Sequence, residues 1–167
     1  PLRLVGSEMC IRDRYMNKEI NRLLNDYCDL RDRQFAIFDR CAKKHNLTAN
    51  ELFVLDILWF ASNGCTQKYI CKRLSINKQT IAAIASRFKE KGYIQFVDMP
   101  EDRRNKLLYL TELGRKYTST IIPAAAKAEN DAMLKLDLAN ATELVRLTKI
   151  FTENMEIEFA KLDDEYY

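Results

Sequence analysis

Apolar residues recur three and four positions apart along most of this chain, and they alternate in only one short stretch beyond its middle. The first helical pattern runs from Asn17 to Lys44 without glycine or proline. Its Ile20, Leu23, Leu24, Tyr27, Leu30, Phe35, Ile37, Phe38 and Cys41 supply more apolar surface than a free helix leaves in water. Leu47 to Asn63 is a second helix: Thr48 and Glu51 have capping-box spacing, Leu47 can staple on Leu52, and Gly64 ends it. The almost unbroken apolar run from Leu52 to Phe60 predicts burial on several sides. A short helix follows over Thr66 to Leu74, capped by Thr66, with Ile70, Cys71 and Leu74 facing inward.

After a three-residue turn comes the stretch around which the chain is organised, INKQTIAAIASRFKEKG from Ile76 to Gly92. Ile81, Ile84, Ala85 and Phe88 form one apolar stripe, while Gln79, Ala82, Ala83, Ser86 and Arg87 form a small, polar opposite face. Asn77 can cap the helix and Ile76 can staple on Ile81; Lys89 and Lys91 suit its negative end, and Gly92 supplies a left-handed stop. Next, YIQFVD alternates as a strand, MPEDRRNK reads as a charged turn and LLYL as a returning strand. Thr111 starts another helix to Leu136, which Pro123 should bend or interrupt. Asp137 can cap a last one from Leu138 to Leu162, striped with Leu144, Leu147, Phe151, Met155, Phe159 and Leu162.

The fold class expected is therefore mostly α with a small β-hairpin wing: a winged helix-turn-helix core flanked by N- and C-terminal dimerisation helices. We expect a single domain over residues 15–167. It comprises dimerisation helices at 17–45 and 137–162, a winged lobe at 47–114 and a linking helix at 111–136. Residues 1–14 are expected to be a non-native tail, because LVGSEMCIRDR resembles the read-through of a transposon-type sequencing adaptor, with Met16 as the start.

Charge sharpens this picture. The net charge is only +3, but residues 68–116 hold 12 Lys and Arg against 5 Asp and Glu (+7), leaving 15 against 19 (−4) elsewhere. A positive segment that coincides with the helix, turn, helix and hairpin is the footprint expected for a polyanion. The five cysteines, Cys10, Cys28, Cys41, Cys65 and Cys71, show no CxxC and no metal-ligand spacing with the single His45. They read as reduced thiols, and with no apolar run long enough to span a membrane the chain is expected to be cytoplasmic. There is no phosphate loop or serine elbow, so no enzyme, cofactor or metal is expected.

The residues TQKYICKRLSINKQTIAAIASRFKEKGYI, the wing motif PEDRR and LTELG at Leu110–Gly114 resemble the DNA-binding core of the MarR family of bacterial transcriptional regulators. That family's wing pattern, an aspartate and an arginine one residue apart, falls on Asp102 and Arg104. Ser75 stands where helix-turn-helix turns often have glycine, and Cys71 where a small alanine is usual. The resemblance implies a homodimer joined through its first and last helices, bound to double-stranded DNA. It also implies a small, often aromatic ligand between the two lobes, and it singles out Cys28, since some members sense oxidants through a first-helix cysteine. The residues expected to meet DNA are Asn77, Lys78, Gln79, Thr80, Ala83, Ser86 and Arg87 on the recognition helix, and Asp102, Arg103, Arg104 and Lys106 on the wing. Thr66, Gln67 and Lys68 join them from the helix before the turn. Gln79 could pair bidentately with adenine, Lys78 or Arg87 could reach guanine or phosphate, and Ala83 could meet a thymine methyl. The alternative from another class is a winged-helix module used only for protein–protein contact, which would show no steep salt dependence in any DNA affinity.

Overall fold

A computed structural model describes residues 5–99 and 102–165, and side chains from residue 17 to 99 and from 105 to 162. The expectations for Cys10 and for the side chains of Asp102, Arg103 and Arg104 lie outside the described residues. The elements are α1 (Val5–Lys43), α2 (Ala49–Phe60), β1 (Cys65–Thr66), α3 (Gln67–Leu74), α4 (Lys78–Glu90), β2 (Ile94–Met99), β3 (Asp102–Leu110), α5 (Glu112–Ser119), α6 (Ile122–Leu134) and α7 (Asp137–Glu165). They fall into two compact units, residues 1–118 and 119–167. Among the described residues no helix is long and apolar enough to cross a membrane.

In the first unit the helix ends are set by the side chains the sequence offers. Thr48 Oγ1 accepts from the Glu51 N–H at 3.2 Å and Glu51 Oε2 accepts from the Thr48 N–H at 2.8 Å, closing a reciprocal capping box on α2. Thr66 caps α3 by accepting from Tyr69 N–H at 3.1 Å, and Asn77 caps α4 by accepting from Thr80 N–H at 2.8 Å. The α4 stripe is buried as its spacing requires, with Ile81 and Phe88 fully enclosed and Ala85 and Ile84 nearly so. It shares the core with Val54, Leu55 and Leu58 of α2, Ile70 of α3 and Leu108 of β3.

Three expectations need correction. The helix predicted from Asn17 begins at Val5, where nothing between Ser7 and Met16 breaks a helical run. The helix from Thr111 to Leu136 is interrupted as expected, into α5 and α6, with Pro123 in the first turn of α6, where its missing N–H costs nothing. The sheet has three strands, ordered β1-β3-β2 and antiparallel throughout, rather than a lone hairpin. The returning strand begins at Asp102, so the charged segment read as a turn is mostly strand. A ribbon wetted on both faces needs no apolar alternation, which is why its charged half did not register as β. Asp98 opposes Lys106 in register, and the pairing shifts between Asp98 and Met99.

Close approaches fix the base of the hairpin. A Cβ on Gly114 would sit 1.8 Å from the Tyr93 carbonyl oxygen, so α5 can lie against that backbone only with glycine there. Thr111 Oγ1 accepts from the Gly114 N–H at 3.0 Å and donates to the Gly92 carbonyl at 2.5 Å, joining the residues that precede β2 to those that follow β3. Gly92 takes the left-handed stop (φ +72°) predicted for it. In the second unit, Asp137 accepts from the Asn140 N–H at 2.9 Å and caps α7 as expected.

Two measurable consequences follow from the helix-turn-helix turn and β1. Ser75 adopts φ 53°, ψ 39°, the left-handed conformation that the more usual glycine would take without strain. Ser75→Gly should therefore raise stability by up to about 1 kcal/mol, the left-handed penalty less the entropy cost of glycine. A thermal melt that falls instead would count against strain at this turn. Burial pushes the Cys65 thiol up to about 11. Cys65 should stay unlabelled by iodoacetamide at pH 8 in the folded chain, whereas the half-buried Cys28, Cys41 and Cys71 react. Mass spectrometry of labelled peptides checks it, and early modification of Cys65 would contradict its enclosure.

Candidate nucleic-acid interface

The outward face of α4 follows from which side is buried. With Ile81, Ile84, Ala85 and Phe88 committed to the core, Lys78, Gln79, Ala83 and Ser86 are exposed and Thr80 is half-buried. Alanine and serine at its middle keep that face low, so the longer Gln79 and Lys78 side chains near the N-terminal end stand furthest out. Asn77 is exposed, but its side-chain oxygen is engaged in capping, which leaves its amide N–H groups as the outward function. Thr66 is likewise a cap first.

Residues from three elements then converge. A cleft of about 470 Å³ is lined by Gln67, Lys68 and Cys71 of α3, Lys78 of α4, and Phe96, Asn105 and Lys106 of the wing. Four residues expected from sequence to contact DNA, Gln67, Lys68, Lys78 and Lys106, thus share one concavity, with three ammonium groups around it. Phe96 forms its apolar wall and also carries the Lys89 ammonium 5.5 Å from its ring centre, a cation–π contact that holds a further positive charge beside the cleft. Lys106 pairs with Asp98 across the wing at 3.1 Å; both side chains are exposed, so the pair is weak and the lysine can be recruited by a stronger anion. Asp102, Arg103 and Arg104 belong to β3 by their backbone.

One expected contact residue is placed differently. Arg87 is not free on the outer face: its Nη1 donates to Glu51 Oε1 of α2 at 2.7 Å. Glu51 is 2 % exposed, and its other oxygen is engaged in the capping box. A charge buried that deeply requires an ionic partner, and Arg87 supplies it. The carboxylate's position in the capping box was legible, but its second bond, to a residue 36 positions away, had no local signal. Elsewhere in this unit Tyr117 stacks on Tyr93 at 4.4 Å and donates its hydroxyl to the His45 carbonyl at 3.1 Å, with burial raising its pKa. His45 thus serves through its backbone. Among the described residues no cluster of three or more His, Cys, Asp or Glu side chains is arranged to hold a metal ion.

Comparison with known proteins agrees with this geometry. A profile described as the MarR family matches residues 45–105, the span from just after α1 into the first part of β3. The chain is 26 % identical over 125 residues to the HTH-type transcriptional repressor NicR of Pseudomonas putida, covering 74 % of this chain and 78 % of the relative. Among solved structures it is similar to NMB1585, a MarR family regulator from Neisseria meningitidis, with a TM-score of 0.68 and 24 % identity over 86 % of this chain and 96 % of that one. It is also similar to Bordetella bronchiseptica BpsR, whose DNA binding is regulated by 6-hydroxynicotinic acid, with a TM-score of 0.61 and 24 % identity over 80 % and 92 % of the two chains. With its helix-turn-helix, three-stranded winged sheet and basic cleft, the chain matches the MarR family over residues 45–105 and is a DNA-binding transcriptional regulator.

Proposed function

We propose that this chain acts in the cytoplasm as a homodimeric repressor whose two α4 helices enter successive major grooves of a pseudo-palindromic operator. The observation that carries the reading is the cleft where Lys68, Lys78 and Lys106 gather beside the low outer face of α4. Phosphate contacts from these lysines and from the wing arginines supply most of the affinity, and Gln79 and Ala83 supply the choice of base. Arg104 belongs to the phosphate-binding set by its match to the family's wing pattern. Exposed apolar faces support the dimer. On α1, Ile20, Leu23, Leu30 and Phe35 are each at least half exposed, and on α7 so are Val145, Leu147, Ile157 and Phe159. Apolar stripes of that extent are normally covered by a partner. A small aromatic ligand that loosens DNA binding is part of the proposal, supported by the similarity to BpsR.

Selecting sites from a random DNA pool with the purified protein tests the reading directly. The sites recovered should be inverted repeats with half-site centres roughly 10–10.5 bp apart or at a multiple of that. Protection of one asymmetric half-site by a monomer would overturn it. On the selected site, Gln79→Ala should cost about 1–3 kcal/mol and relax choice at one base position. Arg104→Ala should instead weaken matched and scrambled sites about equally and lower the salt slope by roughly one charge. Affinity measured against salt concentration on both sites separates the two behaviours.

A further inference from the structure

The Glu51–Arg87 pair joins a buried oxygen to a surface guanidinium. Glu51 is 2 % exposed and both its oxygens are bonded, Oε2 to the Thr48 N–H at 2.8 Å and Oε1 to Arg87 Nη1 at 2.7 Å. Arg87 keeps 51 % of its side chain in solvent. A guanidinium carries five N–H donors in a rigid fork, so fixing Nη1 inward fixes the direction in which the remaining donors point outward. At 100° per residue, Arg87 lies about 40° round α4 from Ala83 and about 80° from Gln79. That places it on the border of the outer face, on the side of α2. A residue at the border of a helix lying in a groove meets the sugar–phosphate wall instead of the base edges.

We infer that Glu51 is a positioning residue for DNA binding: from inside the core it holds Arg87 so that the outward edge of its guanidinium is already set to receive a backbone phosphate. This rests on the reading of α4 as the helix that enters DNA. An arginine free on the surface loses several rotatable bonds' worth of freedom when it docks, whereas Arg87 has lost that freedom on folding. The capping box contributes to the same end, because Thr48 anchors the carboxylate that anchors the arginine.

The test turns on a sign. Glu51→Gln removes a negative charge near DNA, so charge repulsion alone predicts tighter binding. The positioning role predicts weaker binding by about three- to tenfold, on matched and scrambled sites alike. In an Arg87→Ala background the same Glu51→Gln change should leave DNA affinity where Arg87→Ala alone puts it, even where it lowers the melting temperature. A merely structural glutamate would weaken binding equally in both backgrounds, and that result, or tighter or unchanged binding by Glu51→Gln, overturns the inference. If Glu51→Gln does not fold, Arg87→Lys decides, since it keeps the charge on an exposed side chain but gives up the fork. It should weaken binding several-fold with an unchanged salt slope, and wild-type affinity would overturn the inference. If the unaltered chain shows no salt-dependent DNA binding at all, the reading of α4 fails first and the inference with it.

Discussion

The division of α4 into a buried and an exposed half governs what this protein can present. Ile81, Ile84, Ala85 and Phe88 are spaced so that a helix of 3.6 residues per turn puts all four on one side, and Phe88 and Ile81 are completely enclosed. Their enclosure fixes the rotation of the helix about its own axis. A rotation by one residue, 100°, would bring Gln79 and Ser86 toward the core and expose Phe88, at a cost of several kcal/mol. The outer face is therefore specified from beneath. The outer residues do not have to hold themselves in place, which is why they can be as small as Ala83 and Ser86.

Caps set the other coordinate, the position along the axis. Asn77 and Thr66 each satisfy a free N–H group at the start of a helix, and between them Ser75 turns the chain in a left-handed conformation. A helix-turn-helix is short enough that one residue of slippage at either cap would move Lys78 out of the cleft it shares with Lys68 and Lys106. Two residues nominated as direct contacts thus act first by placing their neighbours.

Most of this was legible because it is local. The Thr48–Glu51 capping box, the caps at Thr66, Asn77 and Asp137, the stop at Gly92 and the interruption at Pro123 each depend on residues within one or two turns of each other. What was not legible is what depends on the folded neighbourhood. β1 is two residues long, too short to show any period, and exists because Leu107 and Leu108 offer it partners. The charged start of β3 pairs through backbone groups that the side-chain pattern does not advertise. The bond from Arg87 to Glu51 was hidden because nothing nearby in sequence announces it, and a wheel drawn on one helix cannot show a second helix packed beside it.

The clamp at the foot of the wing separates two kinds of variation. Gly114 against Tyr93, and Thr111 against Gly92, tie the incoming and outgoing chains together at the core. Beyond Asp98 the register shifts and the two strands answer mainly to each other. The wing's reach is therefore a free variable: residues added or removed in opposed pairs near its end change how far it extends, and leave α4 where it is. A lineage of such proteins can lengthen, shorten or recharge this arm to suit a new target while its foot admits almost no change, so divergence should collect at the tip and constancy at Gly114.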